Sequence, residues 1–257
     1  MRMGWVSEKL KHFHYSGQKS VALLIDPDAV THEDLFQDLI SLAIKAHVDF
    51  FFIGGSLADA EQCRRCVELI QCQTKLIPTV LFPGNAIQVI ENADGILFLS
   101  LISGRNPEFL IGQQVIAAPI LARSQLEVLP TGYMLVDSGE LTSVNYMSQT
   151  IPLPNNKPSL AVATALAGTL LGLGYLFLDA GSGAARPVSG GIISAVKSHT
   201  DCPLIVGGGI NSPLKAKMAW EAGADVVVLG NGVEKNPNLL VEVLGLAQTY
   251  NLSLNVN

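Results

Sequence analysis

The chain has 257 residues and a formal net charge of -6, from 16 Lys and Arg against 22 Asp and Glu. Hydrophobic residues make up 49% and charged residues only 15%, which excludes a disordered chain, poor in apolar residues and rich in charge. The acidic balance also argues against a nucleic-acid binder, which needs a basic face to meet phosphates.

Apolar runs alternate with segments of helical period along the whole length. Residues 1–19 read as a helical extension, in which Trp5, Val6, Leu10 and Phe13 are mixed with Glu8, Lys9 and Lys11 and no secretory signal is visible. A first strand, Val21 to Ile25, ends at Asp26-Pro27-Asp28. Thr31 is then placed to cap a helix that has Glu33 and Asp34 in its first turn. The run from Asp49 to Ile53 ends at Gly54-Gly55-Ser56, and a helix through Cys63 and Ile70 follows. Cys63 and Cys66 have CxxC spacing, but the amphipathic pattern around them favours helix packing over a redox or zinc site. With Cys72 and Cys202 they show no disulfide framework, so reduced thiols in the cytosol are expected.

The run from Leu76 to Leu81 ends at Phe82-Pro83-Gly84, and Asn85 to Glu91 is a brief helix. Gly95 to Leu99 ends at Ser100, before a longer helix over about Pro107 to Ala122. The fifth strand lies within Val128 to Val136 and ends at Asp137-Ser138-Gly139. Ala161 to Leu178 carries no charge and approaches the length of a membrane span. Gly172 and Gly174 divide it into a helix and a short buried strand, Tyr175 to Leu178. The helix expected over residues 161–174, with its small residues, suggests a self-association face. The last three strands end at Asp179 to Gly183, at Gly207-Gly208-Gly209 and at Gly230-Asn231-Gly232. Eight near-continuously apolar strands with intervening helices fit a single (β/α)8 TIM barrel over residues 1–257.

In such a barrel, chemistry collects at the C-terminal ends of the strands. The glycine runs after the last three strands suit a phosphate grip, because glycine lets backbone N–H groups approach an anion. Any single run is equally a tight turn; three at consecutive strand ends favour a joint role. Asp26, Asp28, Asp137 and Asp179 place carboxylates on the same rim. Asp26 with Ser56 suits a Mg²⁺ that also binds phosphate oxygens. His12, His14, His32, His47 and His199 all fall away from strand ends, which disfavours histidine-bound zinc and histidine acid–base chemistry.

Several stretches resemble the motifs of the geranylgeranylglyceryl phosphate synthase / PcrB family. They are Ile25 to Asp28, Ile53 to Ser56, Ser100 to Pro107, Leu178 to Ala184, Val206 to Ile210 and Leu229 to Asn231, in the family's order over residues 20–245. The likeness is to the longer-chain branch found in archaea and some bacteria. It implies a Mg²⁺-dependent TIM-barrel prenyltransferase that joins sn-glycerol 1-phosphate to a long-chain prenyl diphosphate as an ether. Matched position by position, Asp26 and Ser56 stand as metal ligands. Phe177, Leu178, Asp179, Ala180, Gly181, Ser182 and Gly183, with Gly208, Gly209, Gly230 and Asn231, stand as glycerol phosphate contacts. Asp179 stands where the family usually has the Glu expected to take the hydroxyl proton, Phe177 where a Tyr is common, and Leu24 where shorter bacterial members have Lys. Arg105 or Arg186 is expected to meet the diphosphate. Two other readings share the phosphate grip: a sugar-phosphate isomerase or lyase, and a phosphoester-binding barrel without catalysis. A homo-oligomer is expected from the low charge, and the amphipathic N-terminus suits either a helix packed beneath the barrel or contact with a membrane.

Overall fold

The structure, a computed structural model, describes residues 4–254; the outermost residues of the expected domain lie outside that range. Eight parallel strands close in sequence order, β1 pairing with β8. They are β1 Ser20–Ile25, β2 Phe50–Ile53, β3 Thr79–Leu81, β4 Gly95–Leu101, β5 Glu127–Leu135, β6 Tyr175–Asp179, β7 Leu204–Gly207 and β8 Val226–Leu229. The helices are α1 Trp5–Ser16, α2 Glu33–Lys45, α3 Ala60–Gln73, α4 Gln113–Leu121, α5 Ser143–Ser148, α6 Pro158–Leu170, α7 Gly190–His199, α8 Pro213–Glu221, α9 Asn231–Lys235 and α10 Asn238–Leu254.

Period-two alternation sorts each strand into two layers. Phe50, Phe52, Leu97, Tyr133 and Phe177 fill the barrel interior, while Phe51, Met134, Leu176 and Leu178 pack outward against the helices. Both faces are covered, which is why the strands read as continuous apolar runs.

The N-terminal extension is the barrel's floor. Val6, Leu10 and Phe13 of α1 are buried among the interior residues of the strands. The first turn of α1 lacks a side-chain cap of its own. Glu127 supplies one from the start of β5, its carboxylate accepting from Val6 N at 2.9 Å and Ser7 N at 2.8 Å. An anion at a helix N-terminus satisfies orphan N–H groups and suits the helix dipole. Because α1 spends its apolar face inside the barrel, the alternative of that face on a membrane is set aside.

Two local expectations need correction. Thr31 does not cap α2: Pro27–Thr31 is a 3-10 turn closed by the Thr31 hydroxyl donating to Asp28 O at 2.8 Å, and His32 precedes α2. The expected brief helix after β3 is a single 3-10 turn, Ala86–Gln88, so the helix layer is thin there. Of the small residues of α6, Ala161, Ala165 and Gly168 pack within the subunit, and a Cβ on Gly168 would come within 2.8 Å of Ile102. The exposed side of α6 carries Leu160, Ala163, Ala167 and Leu170, with Leu171 just beyond it. Among the described residues, no helix is long and apolar enough to cross a membrane.

Candidate active site

The interior residues at the upper ends of the strands converge on one cavity of about 730 Å³. Asp26, Ser56, Asp179 and all three glycine loops line it. Its polar side is built by the loops after β6, β7 and β8. Ser182 Oγ donates to Asn231 Oδ1 at 3.1 Å, tying the first of these loops to the last.

Asp179, the last residue of β6, points inward and is buried. Its Oδ2 accepts from the Tyr133 hydroxyl at 2.5 Å and its Oδ1 from Gly181 N at 2.8 Å. Burial pushes the carboxyl above the usual carboxylate range, and the two hydrogen bonds pull the other way because they favour the charged form. Gly208, at φ +80°, runs directly beneath: a Cβ there would sit 2.6 Å from Asp179 Oδ1. The loop after β7 therefore needs glycine both for its left-handed backbone and for this approach.

Not every matched residue faces the cavity. Leu178 and Ala180 turn toward the helix layer, as the pleat requires, and Ala180 N is used by Gly207 O at 3.1 Å. The Gly181 N–H, read as part of the anion grip, is engaged by Asp179. Among the motif residues this leaves Ser182, Gly183, Gly208, Gly209, Gly230 and Asn231 around the space where a phosphate would lie.

The two arginines expected to meet the diphosphate lie apart from this cavity. Arg105 Nη1 donates to Gly104 O at 2.6 Å and lines a separate small depression, while Arg186 is held at 3.6 Å by Asp137 and at 3.3 Å by Ser138 O. Neither lines the main cavity. Asp137, likewise outside it, accepts from Gly139 N in its own turn. Lys235 is the cation on the cavity wall among the described residues, against Asp26, Asp28, Asp179 and Glu234.

Asp26 continues the inward face of β1. Its carboxylate lies over Gly55, where a Cβ would come within 2.6 Å of Oδ1, and Ser56 lines the same cavity. Its hydrogen bond is from Asp28 N at 3.2 Å, and burial raises its carboxyl above the usual range. The donors here are oxygens, with no basic partner among the described residues. That set fits a hard divalent cation such as Mg²⁺, which takes one or two carboxylates and completes its shell with water and phosphate oxygens. By contrast Cys63 and Cys66 are buried in α3, and burial pushes the Cys63 thiol up to about 11, as expected of inert packing residues.

The opposite wall is apolar. The outward-facing Ile96 and Phe98 of β4 line the cavity together with Val89 and with Ala117 of α4. A groove thus runs between sheet and helices where a full helix after β3 is missing. Gln88 fixes its edge, donating to Gly55 O at 2.7 Å and Ala58 O at 2.9 Å. Sequence reasoning missed this groove and Tyr133. The strand-end rule drew attention to Asp137, but the alternation of β5 turns Tyr133 inward.

Comparison with known proteins agrees with this geometry. Residues 16–246 match the model of the PcrB family. A geranylgeranylglyceryl phosphate synthase of Spirosoma linguale is 50% identical over 245 residues, covering 95% of this chain and 98% of the relative. One from Chitinophaga pinensis is 48% identical over 227 residues, 88% of this chain and 89% of the relative. The crystal structure of (S)-3-O-geranylgeranylglyceryl phosphate synthase from Thermoplasma acidophilum, in complex with the substrate sn-glycerol-1-phosphate, superposes with a TM-score of 0.87 at 29% identity. It covers 95% of this chain and 98% of that one. With its barrel, its glycine-lined rim and its inward carboxylate, this chain belongs to the PcrB family.

Proposed function

We propose that the protein is a geranylgeranylglyceryl phosphate synthase, which alkylates the free primary hydroxyl of sn-glycerol 1-phosphate with a long-chain prenyl diphosphate and releases diphosphate. One observation carries this reading: a buried carboxylate, Asp179, stands between a glycine-lined rim that suits a phosphate and an apolar groove that suits a hydrocarbon chain. A small sugar-phosphate enzyme has no use for the groove, and a barrel that only binds has no use for a buried inward carboxylate.

The loops of Gly208-Gly209 and Gly230-Asn231, bridged to Ser182, hold the phosphate and so fix the acceptor hydroxyl beside Asp179. Fixing two reactants in one geometry lowers the barrier by converting a bimolecular step into a unimolecular one. Asp179 takes the proton as the hydroxyl attacks the allylic carbon. Its raised affinity for protons suits a general base better than an exposed aspartate does. Ile96, Phe98, Val89 and Ala117 cover the prenyl chain and exclude water that would otherwise compete as acceptor.

The leaving group brings negative charge to a wall with four carboxylates and one lysine. This imbalance supports Mg²⁺ held by Asp26 and Ser56, which when bound supplies the positive charge that stabilises departing diphosphate. Asp26→Asn is expected to move the Mg²⁺ titration of activity to higher concentration; an unaltered titration would remove Asp26 as a ligand. Four free cysteines fit a reducing compartment such as the cytosol. The exposed Leu170 and Leu171 favour self-association, which a monomeric mass by light scattering at micromolar concentration would refute. The defining experiment is mass spectrometry of the product formed from sn-glycerol 1-phosphate and a mixture of prenyl diphosphates. The expected product is the C20 ether; an absence of any ether overturns the reading.

A further inference from the structure

The two oxygens of Asp179 meet different partners. Oδ1 is occupied by Gly181 N–H and backed by the Gly208 backbone, whereas Oδ2 meets the Tyr133 hydroxyl. Both side chains line the cavity. An ionised carboxylate only accepts, so in this pair the phenol donates, and its oxygen keeps a lone pair free to accept from another group. The Tyr133 ring is fixed between Phe82 and Phe177, with centroids 6.0 and 5.6 Å away. Burial and the Asp179 charge push the phenol well above its ordinary pKa. Tyr133 is thus no base by itself, but it is placed to pass a proton onward.

Building on the prenyltransferase reading above, we propose that Tyr133 is a second catalytic residue, which accepts the proton of the acceptor hydroxyl while handing its own to Asp179. The allylic carbon–oxygen bond breaks with its electron pair leaving on diphosphate, and the glycerol oxygen forms the new ether bond to that carbon. The proton of the glycerol oxygen passes to Tyr133 Oη as the phenolic proton passes to Asp179 Oδ2. Tyr133 ends neutral and Asp179 ends protonated, and Asp179 returns its proton to solvent after product release.

Tyr133→Phe tests this, because it keeps the ring and its packing and removes only the hydroxyl. Ether-forming kcat is expected to fall about 100-fold, with the KM for sn-glycerol 1-phosphate unchanged. The acid limb of the kcat pH profile should move to higher pH, because Asp179 loses a donor that favours its charged form. Adding Asp179→Glu, one methylene longer, should restore at least about a tenth of the lost rate by reaching the hydroxyl directly. A Tyr133→Phe enzyme with wild-type kcat, or with its acid limb unmoved, overturns the relay while leaving the prenyltransferase reading intact. A wild-type enzyme that forms no ether overturns that reading and the relay with it.

Discussion

At the floor of the barrel, Asp225 is almost fully buried and fully answered. It accepts from Lys197 Nζ at 2.7 Å, from Leu204 N at 2.8 Å, and lies 3.1 Å from His14 Nδ1. At the rim, Asp26, Asp28, Asp179 and Glu234 surround one cavity, and no ion pair among the described residues reaches any of them. The same residue types are spent on stability at one end and held for a ligand at the other. Substitutions at the rim should therefore cost activity without stability, and substitutions at the floor the reverse.

The sharpest break at the rim is Asp179→Ala. Turnover should fall by about 100- to 10,000-fold, while calorimetry still shows sn-glycerol 1-phosphate binding. Removing the buried charge relieves its burial cost, while the Tyr133 hydroxyl and Gly181 N–H lose their acceptor, so the melting temperature should stay near that of the wild type. A variant that melts well below the wild type would blur the two ends.

The mirror experiment is Lys197→Met. It leaves Asp225, 1% exposed, without its main counter-charge. Breaking a buried pair from one side costs about 3 kcal/mol or more, readable in urea unfolding. His14, which also contacts Asp201, remains as a partial substitute. The kcat of the folded enzyme should not change. Adding Asp225→Asn should recover part of the stability.

How much of this was legible in the sequence follows the same division. Strands buried on both faces announce themselves as apolar runs, and the loops that bring backbone to a phosphate announce themselves as glycine, so the barrel and the polar wall could be read directly. The apolar wall could not. Ile96, Phe98, Val89 and Ala117 look like any other core residues, and only the shortness of Ala86–Gln88 turns them into a groove. Charge in a sequence does not show direction: Arg186 turns to Asp137, and Arg105 to the carbonyl of its neighbour. The floor was half visible. The amphipathic N-terminus suggested a packed helix, but the distant Glu127 that caps it carries no local signal.

The groove can be tested apart from the phosphate side. Ala117, 4% exposed, sits beside Ile96 and Phe98 on its wall. Ala117→Phe should lower kcat/KM for the C20 donor by more than about 10-fold, since overpacking costs about 1–3 kcal/mol. A five-carbon donor should still react, and sn-glycerol 1-phosphate should bind as before. Equal losses with both donors would mean that the chain does not lie along this wall.

The smallest expected effect concerns a floor carboxylate that is less well answered than Asp225. Asp49 accepts from Val21 N at 2.9 Å and feels Lys9 nearby, yet burial pushes its carboxyl up to about 6. The folded protein therefore binds this proton more tightly than the unfolded chain, whose aspartates titrate near about 4. Stability from this group is lost as pH rises from about 4 to about 6, and the full cost persists above that range. Asp49→Asn keeps an acceptor for Val21 N and removes the charge, so it should raise the melting temperature at pH 7.5 and do nothing at pH 4. The value of about 6 already includes the attraction to Lys9, so the gain is about 2 kcal/mol, or several degrees for a domain of this size. A melting temperature lowered at pH 7.5 would mean that the attraction to Lys9 outweighs the burial of Asp49, and that the floor has no poorly answered carboxylate there.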